Sequence, residues 1–186
     1  MERILAAADQ EIGEVGLKRA TTTSISRRAG VSVGALYRFF SDKEALAAAL
    51  AERYLTEVSG EYARVLGEMH DANDVRTAVL ALVDVAAQAH LKNPGYYRLT
   101  EDSDPQEDSS PAHTVRENLV ALFVTRLREG LSDEPEDVLR EVVTLCVETV
   151  RHTLAHAPME LEHRERLVGE LKLMVGAYVS TRFASA

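Results

Sequence analysis

The chain has 186 residues, 46% of them hydrophobic, and a net charge of −9. It is long enough to bury a sizeable core, and an excess of Ala, Leu, Val and Glu over Gly, Pro and aromatics predicts an all-α fold. The single cysteine excludes an internal disulfide and suits the cytoplasm, no signal peptide is expected, and no run of about 18 apolar residues marks a membrane span.

A first helix is expected over residues 2–15, because Ile4, Leu5, Ala8, Ile12 and Val15 recur at helical spacing and Gly16 follows. Residues 21–40, TTTSISRRAGVSVGALYRFF, read as two short helices and a tight turn. Thr21 is suited to cap the first, which runs to about Ala29. Gly30 supplies the residue that tolerates positive φ at a helix end. Ser32 caps a second helix running to about Phe39. This is the helix-turn-helix plan, in which the second helix enters the DNA major groove.

Charge supports that reading. Residues 17–43 carry six cations (Lys18, Arg19, Arg27, Arg28, Arg38, Lys43) against one acid, Asp42, a net +5. Residues 1–55 carry net +1 and the remainder −10, so a cation-rich hairpin sits on an acidic chain, as a phosphate footprint requires. Ser32, Val33, Ala35 and Arg38 share the outward face of the second helix with Tyr37 beside them, and Gly34 lets its backbone approach DNA closely.

Beyond the hairpin, Ser41 with Glu44 forms a capping-box pattern opening a fourth helix that runs to about Met69. Asn73 or Asp74 caps a fifth helix ending near Lys92 at Asn93-Pro94-Gly95. A short sixth helix covers 96–99. Residues 100–111, TEDSDPQEDSSP, form an acidic, turn-rich loop. A seventh helix spans about 111–130, an eighth 136–155 and a ninth 160–183. The eighth is apolar around most of its circumference, so one side suits its own domain and the other a partner.

Other chemistry is sparse. Glu148, His152 and His156 share one face of the eighth helix, but cations and histidines near a helix C-terminus are favoured there without any metal. Cys146 lies among Leu145 and Val147 with no cation beside it, the setting of an inert buried thiol. No nucleophile elbow, paired metal motif or Gly-rich phosphate loop is present, so no catalytic residue, metal or cofactor is expected. The rival to a DNA-binding regulator is a helical interaction protein whose basic hairpin meets a partner other than DNA.

The N-terminal residues resemble the DNA-binding domain of TetR family transcriptional regulators. Ile4, Leu5, Ala7 and Ala8 match its opening, followed by Gly16, Thr21, Ile25, Ala29-Gly30-Val31-Ser32, Gly34, Leu36-Tyr37, Phe40 and Lys43-Glu44-Ala45-Leu46. The match covers about the first fifty residues without a gap. Asp9 and Glu11 depart from positions where the family is often apolar, and Ser24 replaces the acid that usually completes the capping box.

The resemblance implies a helix-turn-helix domain over 1–48 and a helical ligand-binding and dimerisation domain over 49–186, about nine helices in all. It implies a homodimer on a palindromic double-stranded operator, with repression relieved by a small molecule. Tyr37 and Lys43 are expected to hold phosphates, Thr21, Thr22 and Thr23 to add contacts, and Ser32, Val33, Ala35 and Arg38 to meet base edges. Tyr62, Met69, His90, Tyr96, Tyr97 and Phe123 are the expected ligand lining. Val143, Val147, Leu171 and Met174 are the expected centre of a dimer formed by the last two helices.

Overall fold

In the computed structural model the described residues are 1–71, 74–102, 111–129, 132, 134–157 and 160–183. All regular structure among them is helical: α1 Glu2–Val15, α2 Thr22–Ala29, α3 Val33–Tyr37, α4 Lys43–Gly67, α5 Asp74–Lys92, α6 Pro94–Asp102, α7 Pro111–Arg128, α8 Glu136–Ala155 and α9 Leu161–Phe183. The all-α expectation holds. The chain forms two units, Met1–Glu57 with His90–Val115, and Val58–Ala89 with Arg116–Ala186. The first is thus not a linear stretch: α6 joins the N-terminal helices.

The first unit is organised by one apolar stripe per helix. Ile4, Leu5, Ala8 and Ile12 of α1, Ile25 and Ala29 of α2, Leu36 of α3, and Leu46 and Leu50 of α4 are buried together with Ala20, Phe40 and Leu99 of α6. Ile12, Ile25 and Leu36 are wholly inaccessible, and each such side chain contributes about 1.5–3 kcal/mol by leaving water. Gly16 (φ 78°) ends α1 and Gly30 (φ 65°, ψ 39°) ends α2, both in backbone conformations that side chains resist. After Gly30, the Val31 N–H closes on the Ser26 carbonyl at 3.0 Å, so α3 leaves at a fixed angle.

Helix starts differ from expectation in instructive ways. Ser24 completes the capping box in place of the usual acid: its N–H donates to Thr21 Oγ1 at 3.0 Å, and its own Oγ accepts the Thr21 N–H at 3.2 Å. A hydroxyl reaches as an acid does. The cap of α4 is Asp42 rather than Ser41, since the Ala45 N–H donates to Asp42 Oδ1 at 2.7 Å and Ser41 Oγ to Asp42 Oδ2 at 2.9 Å. These bonds, the Ala45 N–H first, hold the Asp42 carboxyl below its ordinary range. Asp74 does not cap α5 forward; it accepts the N–H groups of His70 and Asp71 behind it.

The sixth helix is longer than the expected 96–99. α5 ends at Lys92 as expected, and Pro94 also opens α6, where its missing N–H is no loss. The acidic stretch 103–110 lies outside the described residues, as does Asn73.

In the second unit, Arg126 of α7 donates to the Leu66 carbonyl at 2.9 Å, which also accepts the Met69 N–H, and to the Met69 carbonyl, tying α7 to the turn that follows α4. Lys172 of α9 pairs with Asp84 of α5 at 2.6 Å. A Cβ on Gly176 would stand 3.1 Å from the Leu80 side chain, so α9 crosses α5 closely there. Leu139, Leu154, Leu171, Val175 and Val179 supply the apolar interior from α8 and α9.

Candidate nucleic-acid interface

The surface built by α2 and α3 follows from its caps. Ser32 Oγ accepts the Ala35 N–H at 3.1 Å and starts α3. Leu36, fully buried, points the helix inward. The opposite side is therefore left outside: Ser32, Gly34, Tyr37 and Arg38 are exposed, and Val33 and Ala35 half-buried. Thr21 and Thr23 are exposed and Thr22 half-buried at the start of α2. Thr22 Oγ1 and the Tyr37 hydroxyl share a hydrogen bond of 3.3 Å, so the phenol is held over the first turn of α2, where both expected contributors meet. An added Cβ on Gly34 would meet nothing within 4 Å. No neighbour among the described residues requires a glycine there.

Intramolecular pairing reshapes the cationic patch. Arg28 donates to Glu11 at 3.0 Å and to Glu14 at 2.9 Å, which explains the charged residue at position 11. The Arg3 guanidinium donates to the Ala29 carbonyl at 2.8 Å. Lys43 is half-buried, with Nζ donating to the Leu17 carbonyl at 3.2 Å. Lys18, Arg19, Arg27 and Arg38 stay exposed with no ion pair among the described residues. Phe39, missed as a surface residue, is 53% exposed beside Tyr37 and Arg38. The sequence signal was the adjacent Phe pair: one ring, Phe40, enters the core, and its neighbour cannot follow.

The other expected sites fall as follows. His90, Tyr96 and Tyr97 belong to the first unit, where Tyr97 lies 4.0 Å from His90 and shares a 2.7 Å hydroxyl hydrogen bond with Tyr54. Tyr62 and Met69, both buried, and the half-buried Phe123 belong to the second. Of the residues expected at a dimer centre, Val143 and Leu171 are buried within their own unit. Val147 is half-buried and Met174 exposed. Among the described residues, the large exposed hydrophobics of α8 and α9 are Leu145, Leu161, Leu173, Met174 and Tyr178.

Glu148 is engaged by Arg151 at 2.7 Å and lies 3.6 Å from His152, while His156 Nδ1 meets the His152 carbonyl at 2.9 Å. Among the described residues no group of three or more potential ligands is arranged to hold a metal ion, and no helix is long and apolar enough to cross a membrane. Burial pushes the Cys146 thiol up to about 11, far from the range of a reactive thiolate.

A capped helix-turn-helix with an outward, cation-flanked second helix, borne on an all-helical chain, defines a DNA-binding regulator of the bacterial helix-turn-helix type. Residues 4–50 match the model for bacterial regulatory proteins of the tetR family, and residues 74–178 match the tetracyclin repressor-like C-terminal domain. The chain belongs to the tetR family, one of regulators rather than enzymes. It is 34% identical over 143 residues to the nucleoid occlusion factor SlmA of Haemophilus ducreyi, covering 72% of this chain and 69% of that one. It is 37% identical over 83 residues to the HTH-type transcriptional regulator YvdT of Bacillus subtilis, covering 45% of this chain and only 41% of that relative. A TetR-family regulator from Streptomyces coelicolor superposes with a TM-score of 0.70 at 28% identity, covering 97% of each chain. FadR of Bacillus subtilis, in complex with stearoyl-CoA, superposes at 0.75 and 96% of each chain, but at 16% identity it shares the fold alone.

Proposed function

We propose that this protein is a sequence-specific repressor that binds a palindromic double-stranded operator as a homodimer and is released by a small, mainly apolar effector. The observation that carries the reading is Gly34. It sits exposed in a recognition helix with open space around it, between Ser32 and Arg38, so its lack of a side chain serves something outside the chain. Arg38 reads a guanine edge, since it alone on that face can form a bidentate contact. Ser32, Val33 and Ala35 contribute shorter contacts, while Tyr37 and the hydroxyls of the α2 start hold phosphate. Residues 1–48 act as the reading head and 49–186 as the effector and dimer body.

The dimer face is the exposed apolar side of α8 and α9, with Leu145, Leu173, Met174 and Tyr178 at its centre. Val147 lies at its margin. Tyr62, Met69 and Phe123 are the effector contacts in the second unit, and His90, Tyr96 and Tyr97 respond to effector in the first. Competition in a gel shift tests the reading. Persistent binding to one duplex under excess random DNA supports a regulator, and equal displacement by any duplex supports an interaction protein with a merely cationic hairpin.

A further inference from the structure

Asp9 is a carboxylate inside an apolar helix face. It is 4% exposed, between Ala8 and the wholly buried Ile12. Its Oδ1 accepts the N–H of Gly95 at 3.1 Å and of Tyr96 at 3.2 Å. Those are the second and third residues of α6, whose first-turn N–H groups have no partner within the helix. Such groups are normally met by the residue just before the helix. Here an acceptor comes from another helix, 86 positions earlier in the chain. The site is shaped for it. A Cβ on Gly95 would stand 2.3 Å from the Asp9 carbonyl oxygen, and one on Gly13 would stand 2.9 Å from the Pro94 Cβ. Neither substitution fits without moving α6 off α1.

The arrangement extends on both sides. The Tyr96 ring stacks on Tyr54 of α4 at 3.7 Å. α1 also packs on α2, the helix that supports α3. Burial raises the Asp9 carboxyl, against the pull of the Tyr96 N–H, the Arg53 charge and the Gly95 N–H; the Glu57 charge adds to the rise. The carboxylate is thus kept in an unfavourable setting, and what it supplies there is an acceptor oxygen.

We propose that Asp9 is a positioning residue for operator binding: its Oδ1 caps α6 from α1 and so holds α1 where α2 and α3 need it. The inference rests on the DNA-binding function proposed above. Capping needs an oxygen and not a charge, so Asn keeps the function and Ala removes it. Two buried N–H groups then lose their acceptor.

The test compares Asp9→Asn and Asp9→Ala with the wild type in two readouts. One is hydrogen exchange at the Gly95 and Tyr96 amides. The other is affinity for the duplex recovered by selection from random-sequence DNA. Asp9→Ala is expected to speed exchange at those amides about tenfold or more, leave the Ile25 amide unchanged and weaken DNA binding by a similar factor. Asp9→Asn is expected to stay within about twofold of wild type in both readouts. Should Asp9→Ala not fold, Asp9→Ser replaces it, its hydroxyl being too short to reach. Faster exchange with unchanged DNA affinity overturns the positioning role. An Asn variant as impaired as Ala overturns the acceptor role. If the wild type selects no duplex, the function itself falls, and the exchange data then speak only for the cap.

Discussion

Arg28 of α2 reaches across to Glu14 of α1, Nη1 to Oε1 at 2.9 Å, and turns a cation that the sequence assigns to the DNA face into a tie between helices. Glu11 accepts from the same guanidinium. Freed by Glu11→Gln with Glu14→Gln, Arg28 gains access to phosphate. The salt dependence of DNA binding is then expected to steepen by about 0.9 in log–log slope. An unchanged slope would show that Arg28 is out of reach of the duplex whatever its partners.

The same pair leaves a mark on acid stability. The hydrogen bond from Arg28 holds the Glu14 carboxyl below its ordinary 4.5. A lowered folded-state value means that the contribution is full above 4.5 and is lost as pH falls through the folded-state value. The stability gap between wild type and Glu14→Gln is therefore expected to be flat from neutral pH to about pH 6 and to shrink in acid below about pH 4.5. Denaturant titrations across that range check it, and a gap that widens on acidification contradicts it.

Arg38 and Arg27 are expected to separate by role. Arg38→Ala should lose about 1–3 kcal/mol on the selected duplex and relax preference at one base position. Arg27→Ala should weaken specific and random DNA alike and flatten the salt slope by about 0.9. Fluorescence anisotropy on both duplexes at several salt concentrations measures this. Equal losses on both duplexes for Arg38→Ala would remove it from base readout. Lys43, bonded to the Leu17 carbonyl, is expected to affect stability as well as affinity.

Gly34→Ala offers a cleaner separation. An added methyl meets nothing in the chain, and Ala is favoured over Gly in a helix by up to about 1 kcal/mol. Thermal melting should show no loss of stability while operator affinity falls. Unchanged affinity would mean that the α3 backbone does not approach DNA closely at this position.

Dimer contacts are distinguished by burial. Leu173→Glu places a charge on a residue 62% exposed and is expected to yield a folded monomer by sedimentation. Leu171→Glu buries an unpaired charge at a site 2% exposed and is expected to unfold the second unit instead. A Leu173→Glu protein that remains dimeric moves the interface elsewhere.

Local signals made the helix order legible: caps at Thr21 and Ser32, glycines at 16 and 30, and apolar spacing along α1, α4 and α5. Tertiary geometry hid the rest. The spacing of α9 shows Leu171 and Met174 as equals, and only tertiary packing makes one interior and the other exposed. Asp9 read as a departure from an apolar face because its partners, Gly95 and Tyr96, are distant in sequence. The cation count could not show that Arg28 is paired within the chain, since its partners lie on a different helix. At Ser24 the residue type differs from the family's usual acid, yet the hydroxyl reaches the same backbone N–H.

The most direct test of the central claim is selection of random-sequence duplex DNA by the full chain, followed by measurement of stoichiometry on the recovered site. The expected result is a two-fold related sequence bound by two chains, with sharply weaker binding when one half-site is scrambled. Recovery of no enriched sequence, or of a site without two-fold symmetry bound by a single chain, would contradict it.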